Sequence, residues 1–346
     1  MDTVDAHFCE EWLKNIKDLL GDRKPDYLVI QHMEPDHSGS IRLLRQLYPN
    51  VQIVGNKRTF DMLEGFHGIN TGLLEVKDGE TLNVGRHQLS FHLAPMVHWP
   101  EVMVTYDATD KILFSADAFG TYGTLDGAVL DVDMNLDHYW DEMRRYYANI
   151  VGKYGNPVQK ALQKLSGLEI KTICSTHGPV WTKYIPDVIK IYDQLSRYEG
   201  QDGVVIVYGS MYGNTEQMAE AIASSLAEHG VKNIVMHNVS KSHASYILKD
   251  IFKYKAVIIG CPTYSNQLYP EIDSLLQKIE VREVKNRLFG YFGSFSWAGA
   301  AVKRLAAFGE KMNWEVVGVP VEQKQGLKPD KYEACWELGK AMAERI

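Results

Sequence analysis

Cysteine is scarce in this sequence. Of 346 residues only 4 are Cys, at positions 9, 174, 261 and 335, and no two form a C-x-x-C pair. That spacing argues against a disulfide framework, a zinc ribbon and a built-in rubredoxin module, and leaves reduced thiols in a cytoplasmic protein as the expectation. No apolar run approaches the ~20 residues of a membrane span. The start, Met1-Asp2-Thr3-Val4-Asp5, has no basic region leading into an apolar stretch, so no signal peptide is expected. Excess positive charge is also missing. The net charge of -7 gives no reason to expect nucleic acid or an anionic membrane as a partner. There is no internal repeat and no low-complexity tract. No G-x-G-x-x-G fingerprint follows a strand-like run, which weighs against a dinucleotide.

What is present is a globular composition, 45% hydrophobic and 23% charged, in a chain long enough for two cores. The character of the chain changes near residue 200. A helix expected over Pro186–Tyr198 ends in Glu199-Gly200-Gln201-Asp202-Gly203, where two glycines mark a stop and a linker. Beyond it, apolar runs at Val204–Tyr208, Asn233–Met236, Ala256–Cys261, Leu288–Phe292 and Trp314–Val319 alternate with helical patterns. Five strands of this kind predict a doubly wound parallel sheet over residues 201–346. Residues 1–200 read differently. They hold an amphipathic helix over Ala6–Leu20, a strand over Tyr27–Gln31, and short alternating segments between Leu73 and Ser115. This half is expected to form a layered α/β sandwich.

The strand Tyr27–Gln31 runs directly into His32-Met33-Glu34-Pro35-Asp36-His37, which packs four ligand-type side chains into six positions. Pro35 and the following Ser38-Gly39 predict a loop at the strand's C-terminal end, where α/β proteins place their sites. His98, Asp117 and His177 each stand just after a later apolar run. A lone His or Asp is more often structural, and the recurrence of strand then ligand is what argues for a metal site. His92, inside a strand with no such turn after it, reads as structural. Cys174, inside an apolar run, reads as a buried core thiol.

In the second half, Val204–Tyr208 leads into Gly209 and then Ser210-Met211-Tyr212-Gly213-Asn214-Thr215 before a helix. Hydroxyls and backbone N–H groups in that position cradle a phosphate, and no Gly-Lys-Ser/Thr follows to make it a Walker loop. Two further loops follow strands: Pro262-Thr263-Tyr264-Ser265-Asn266 and Ser294-Phe295-Ser296-Trp297-Ala298-Gly299. Tyr264 and Trp297 are placed to flank a planar ring. FMN is therefore preferred over FAD or NAD(P).

The metal residues resemble the binuclear layout of the metallo-β-lactamase superfamily, H-x-H-x-D-H followed by His, Asp and His, with Glu34 in place of the second His. Added carboxylate favours iron over zinc. In this form, and in His98-Trp99-Pro100-Glu101, the chain resembles the flavodiiron proteins. The phosphate loop is similar to that of flavodoxins, with Tyr212 for the middle Thr and Ala300 where many relatives have Gly. The resemblance implies a metallo-β-lactamase-like αββα sandwich followed by a flavodoxin-like domain, with two non-haem irons and FMN. It implies that His32, Glu34 and His98 bind one iron, that Asp36 and His177 bind the other, and that Asp117 bridges them. His37 matches a position that ligates in some members and swings away in others. Tyr147, in Tyr146-Tyr147-Ala148-Asn149, is either close to the metals or plain helix packing.

The implied activity is reduction of O2 to water, of NO to N2O, or of both. A rubredoxin-like protein is the implied donor, and a head-to-tail homodimer or tetramer the implied assembly. A zinc hydrolase carrying a flavodoxin domain and an FMN electron carrier with a dead metal site are the competing readings. Family members carry roughly forty to fifty residues before the segment matching Asp2–Asp5. A chain starting inside that first strand is expected to expose a sheet edge.

Overall fold

Alternation along two short strands explains the first layers. The computed structural model describes residues 1–125 and 127–346. A turn at Ala6–Phe8 leads into α1 (Cys9–Leu20), then β1 (Tyr27–Val29), α2 (Pro35–Ser38), α3 (Ile41–Leu47), β2 (Gln52–Gly55), α4 (Lys57–His67) and β3 (Leu73–Glu75). The three strands form a parallel sheet in the order β1-β2-β3. Leu28, Ile30 and Ile53 face one way, onto Met33, Ile41, Leu44 and Leu63. Their neighbours Val29 and Val54 face the other way, onto Val76, Leu89, Phe91 and Met103. This is the period-2 rule applied to strands buried on both sides.

Leu89, Phe91 and Met103 belong to a second sheet, built of β4 (Thr81–Val84), β5 (His87–Leu93), β6 (Met103–Asp107), β7 (Ile112–Phe114), β8 (Thr172–Cys174) and β9 (Val180–Trp181) in that order. All its pairs are antiparallel except β7–β8. The long β7–β8 connection carries α5 (Asp137–Tyr146), a π-helical turn at Tyr147–Val151 and α6 (Gly155–Leu165). Helix α7 (Ile185–Ser196) follows β9.

The chain divides into two compact units, one of residues 1–140 and 156–193, the other of residues 141–155 and 194–346. The second therefore takes in two segments that a single boundary at residue 200 leaves in the first. It contains β10 (Gln201–Tyr208), α8 (Asn214–Glu228), β11 (Ile234–Asn238), α9 (Ala244–Lys253), β12 (Tyr254–Pro262), α10 (Pro270–Glu280), β13 (Leu288–Phe295), α11 (Ala301–Met312), β14 (Glu315–Val316), β15 (Val321–Lys324) and α12 (Pro329–Ala343). The parallel sheet runs β11-β10-β12-β13-β14, with β15 also paired to β13. Counted from β10 the order is 2-1-3-4-5, the doubly wound order whose ligand crevice lies at the strands' C-terminal ends. Val204, Ile206 and Tyr208 pack on Met218 and Ile222 of α8 and on Leu338 and Met342 of α12. The alternate residues Val205 and Val207 are fully buried on the other face.

Several expectations need correction. The fifth strand, expected over Trp314–Val319, is only the two-residue β14, and a further short strand, β15, follows beyond it. Gly318 at φ 73 and Pro320 lie between them. Strand β10 begins at Gln201, so the expected linker is partly strand, with an irregularity between Gln201 and Val204. Pro35 does not prevent a helix. It opens the single turn α2 at the position where its missing N–H costs nothing. Strand β1 stops at Val29, because the Gln31 N–H donates to the Asp2 carboxylate (2.6 Å) rather than to a neighbouring strand. Met1 lies in no strand. Cys174 is only half-buried.

Candidate metal and flavin sites

Each metal-type side chain is delivered by the end of a strand of the first unit. His32 and Glu34 follow β1, and Asp36 and His37 sit on α2. His98 lies between β5 and β6, Asp117 after β7, and His177 between β8 and β9. Backbone detail fixes two of these turns. Ala116 adopts φ 50 immediately before Asp117, a left-handed conformation held only where the surroundings demand it. Gly178 follows His177 with φ 83, and a Cβ there would fall 2.2 Å from Thr121 Oγ1.

The seven side chains converge in two groups: His32, Glu34, His98 and Asp117 in one, Asp36, His37 and His177 in the other. Within each group one donor atom per residue lies within 4.8 Å of all the rest. Asp117 faces both. Its Oδ2 lies 3.0 Å from His98 Nε2 and 3.7 Å from His32 Nε2. Its Oδ1 lies 2.9 Å from His37 Nε2 and 3.3 Å from His177 Nε2. Glu34 Oε2 sits between His32 (3.1 Å) and His98 (3.2 Å), and Asp36 Oδ2 lies 3.3 Å from His177.

The electrostatics are those of a metal-accepting cluster. Burial alone would raise the Asp117 carboxyl, but contacts with His177, His37 and His98 override it and hold the group far below the usual carboxylate range. Hydrogen bonds from His32 and His98 lower Glu34 to about 2. Burial depresses the histidines, yet Asp117 and Asp2 raise His37 to about 10, Asp117 and Glu34 raise His98 to about 9, and Asp117 and Asp36 raise His177 to about 9. His37 Nε2 is buried and close to Asp117 but lacks the alignment of a hydrogen bond. A cation between these groups would give it a partner. Four imidazoles and three carboxylates fit two iron ions.

Two carboxylates that the sequence did not single out stand behind the cluster. Asp2 accepts from the Gln31 N–H, and its Oδ2 lies 3.7 Å from His37 Nδ1. Glu101 is fully buried and lies 2.8 Å from His32 Nδ1. The available signal was a charged residue set among apolar ones, Pro100-Glu101-Val102. Tyr147 is fully buried in the second unit, its ring 6.1 Å from Phe252. His92 is held by Ser90 (3.0 Å), as its structural reading expects.

In the second unit the three predicted loops meet at the C-terminal ends of β10, β12 and β13. Ten of their residues line one hollow: Ser210, Met211, Tyr212, Asn214, Thr215, Pro262, Thr263, Ser294, Phe295 and Ser296. Gly213 (φ 89) is the residue that caps α8, so the helix's first turn has no side-chain cap and its N–H groups are open to an anion. A Cβ on Gly213 would meet nothing within 4 Å. The Gly213 N–H donates to Ser210 Oγ (3.1 Å), and the Thr215 and Ser294 hydroxyls pair at 2.8 Å. Ser265 and Asn266, both at positive φ, make a two-residue turn closed by Tyr264 and Gln267. That turn presents the half-exposed Tyr264, and Trp297 is 85% exposed. A phosphate cradle with aromatic rings at its rim fits FMN. Gly213, Tyr264, Ser265, Asn266, Trp297, Ala298 and Gly299 are not among the residues lining the hollow. Gly299 lies against Glu322.

Two adjoining groups of metal-type side chains on a two-sheet sandwich, joined in one chain to a flavodoxin-like sheet, define a class of two-cofactor redox proteins. Residues 1–178 match the ODP family beta lactamase model, and residues 206–339 match flavodoxin. The chain belongs to the flavodiiron protein family. It is 31% identical to a nitric oxide reductase of Moorella thermoacetica over all of this chain and 87% of that protein. It is equally identical to the anaerobic nitric oxide reductase flavorubredoxin of Escherichia coli, of which it covers 73%. The rubredoxin oxygen:oxidoreductase of Desulfovibrio gigas superposes with a TM-score of 0.95 at 31% identity, over 99% of this chain and 86% of that one. The flavodiiron protein of Giardia intestinalis does so with 0.93 at 29%, over 99% and 85%. Among the described residues no helix is long and apolar enough to cross a membrane.

Proposed function

We propose that this protein is an oxidoreductase that reduces O2 to water, NO to N2O, or both, at a non-haem diiron centre supplied with electrons through FMN. The observation that carries the reading is Asp117, whose two carboxylate oxygens face the two groups of metal-type side chains separately. His32, Glu34 and His98 would hold one iron, Asp36, His37 and His177 the other, with Asp117 between them. Two irons held this way supply binding positions for O2 or for two NO molecules, together with electrons in pairs. The chain's own contribution is to set the spacing of those positions and to hold seven donors ready, with His32, His37, His98 and Asp117 buried and Glu34, Asp36 and His177 at the more open side. Ser210–Thr215 would hold the FMN phosphate, with Tyr264 and Trp297 beside the ring system. The packing of Tyr147 on Phe252 favours its structural reading over a catalytic one.

The first unit, which lies within residues 1–200, would act as the diiron domain, and the second, which contains residues 201–346, as the FMN domain. A rubredoxin-like protein is the proposed donor, a head-to-tail homodimer or tetramer the proposed assembly, and the cytoplasm the proposed location. Metal and flavin analysis of protein purified without added metals tests this, followed by anaerobic assays with NO and O2. Two irons and one FMN per chain, with NO or O2 consumed, is the expected result. Zinc in place of iron, with hydrolytic activity, would overturn it.

A further inference from the structure

Glu101 is a wholly buried carboxylate with partners at only one of its oxygens among the described residues. Its Oε2 has no hydrogen-bond partner among them. Burial of a carboxylate is costly unless partners at its oxygens offset the lost hydration. All its polar contacts run through the other oxygen. Oε1 accepts from the Met33 backbone N–H at 2.9 Å and lies 2.8 Å from His32 Nδ1. The main chain of Glu101 is anchored as well, because Asn56 Nδ2 donates to its carbonyl at 2.6 Å. Asn56 is itself fixed as the cap of α4.

From this geometry, and resting on the proposed diiron reading, we infer that Glu101 is the positioning residue of the His32 ligand. An acceptor at Nδ1 selects the tautomer with the proton on Nδ1 and leaves the Nε2 lone pair facing Glu34 and Asp117. The same oxygen ties down the peptide between His32 and Glu34, so one atom fixes both the ring and the loop that carries the neighbouring ligand. Glu101 also lies three residues after His98. The His98 loop therefore delivers one ligand directly and orients a second from behind. Removing this carboxylate would loosen two donors of one iron and leave Asp36 and His177 untouched. Its negative charge raises the donor strength of the imidazole and favours the more oxidised metal.

The test uses the full chain and two variants. Ferrous iron binding is measured anaerobically by competition with a chromophoric chelator, with bound FMN as an internal control. The diiron reduction potential is followed by EPR. Glu101→Ala is expected to bind one of its two irons about 10- to 100-fold more weakly and to keep one FMN per chain. Glu101→Gln preserves an acceptor for both N–H groups. It is expected to recover most of the iron affinity while its potential moves upward, a shift that mere filling of space would not produce. If Glu101→Ala fails to fold, Glu101→Gln decides alone. Wild-type affinity and wild-type potential in that variant overturn the inference, as does unaltered iron binding in Glu101→Ala. Failure of the wild-type protein to take up iron would instead count against the proposed function.

Discussion

At the scale of single residues the site is governed by competition between protons and metal. Before metal binds, His37 titrates near 10 and His98 and His177 near 9, all above the ordinary value of 6.5. Raised groups contribute their full stabilisation below 6.5 and lose it as pH rises through 9 to 10. Glu34, lowered from 4.5 to about 2, contributes fully above 4.5 and loses its share as pH falls through 2. The iron-free first unit should therefore be most stable between about pH 4.5 and 6.5. Iron needs the neutral imidazoles, so its binding should strengthen steadily from about pH 6 to pH 9 and release protons near neutrality. Calorimetric titration in buffers of different ionisation enthalpy measures that release. Binding that is independent of pH would contradict it. The candidate donors are legible in the sequence, because few residue types ligate iron and the seven lie in the segments that follow strands, Asp36 and His37 on the single turn α2. Asp2 and Glu101 are not, because their roles lie in contacts across 29 and 69 residues of chain.

At the scale of elements, loops that read as independent in the sequence hold one another. Thr263, in the loop after β12, accepts from the N–H groups of Ala300 and Ala301 at 3.0 and 3.1 Å. It thus caps α11, which has no cap from its own Ala300. Thr263→Val keeps the shape and removes the acceptor. It should destabilise the flavin unit by about 1–2 kcal/mol and weaken FMN binding, both read from denaturant unfolding with and without added FMN. An unchanged midpoint would show that water replaces the hydroxyl. Periodicity located nearly every strand of this unit, yet it drew β14 too long and missed β15. A residue at positive φ such as Gly318 is not distinguishable in sequence from any other glycine.

At the scale of the whole molecule, two compact units carry two chemically unlike sites. The metal-type residues all lie in the first unit and the flavin-loop residues in the second. Iron chelation should therefore lower the melting temperature of the first unit's transition and leave FMN bound, because a ligand stabilises only the fold that binds it. Removing FMN should do the reverse. Differential scanning calorimetry with flavin fluorescence separates the two, and loss of FMN on iron chelation would refute the expectation.

The sequence by itself determined the order of sandwich and doubly wound sheet, and it picked out the candidate donors and the candidate phosphate loop. Each depends on residue type and on spacing along a few neighbouring positions. Tertiary structure alone decided that Asp117 turns one oxygen to each ligand group, that Glu101 and Asp2 stand behind two histidines, and that residues 141–155 pack with the second unit. Those are distances between parts of the chain far apart in sequence. Packing sets such distances, and no local pattern encodes them.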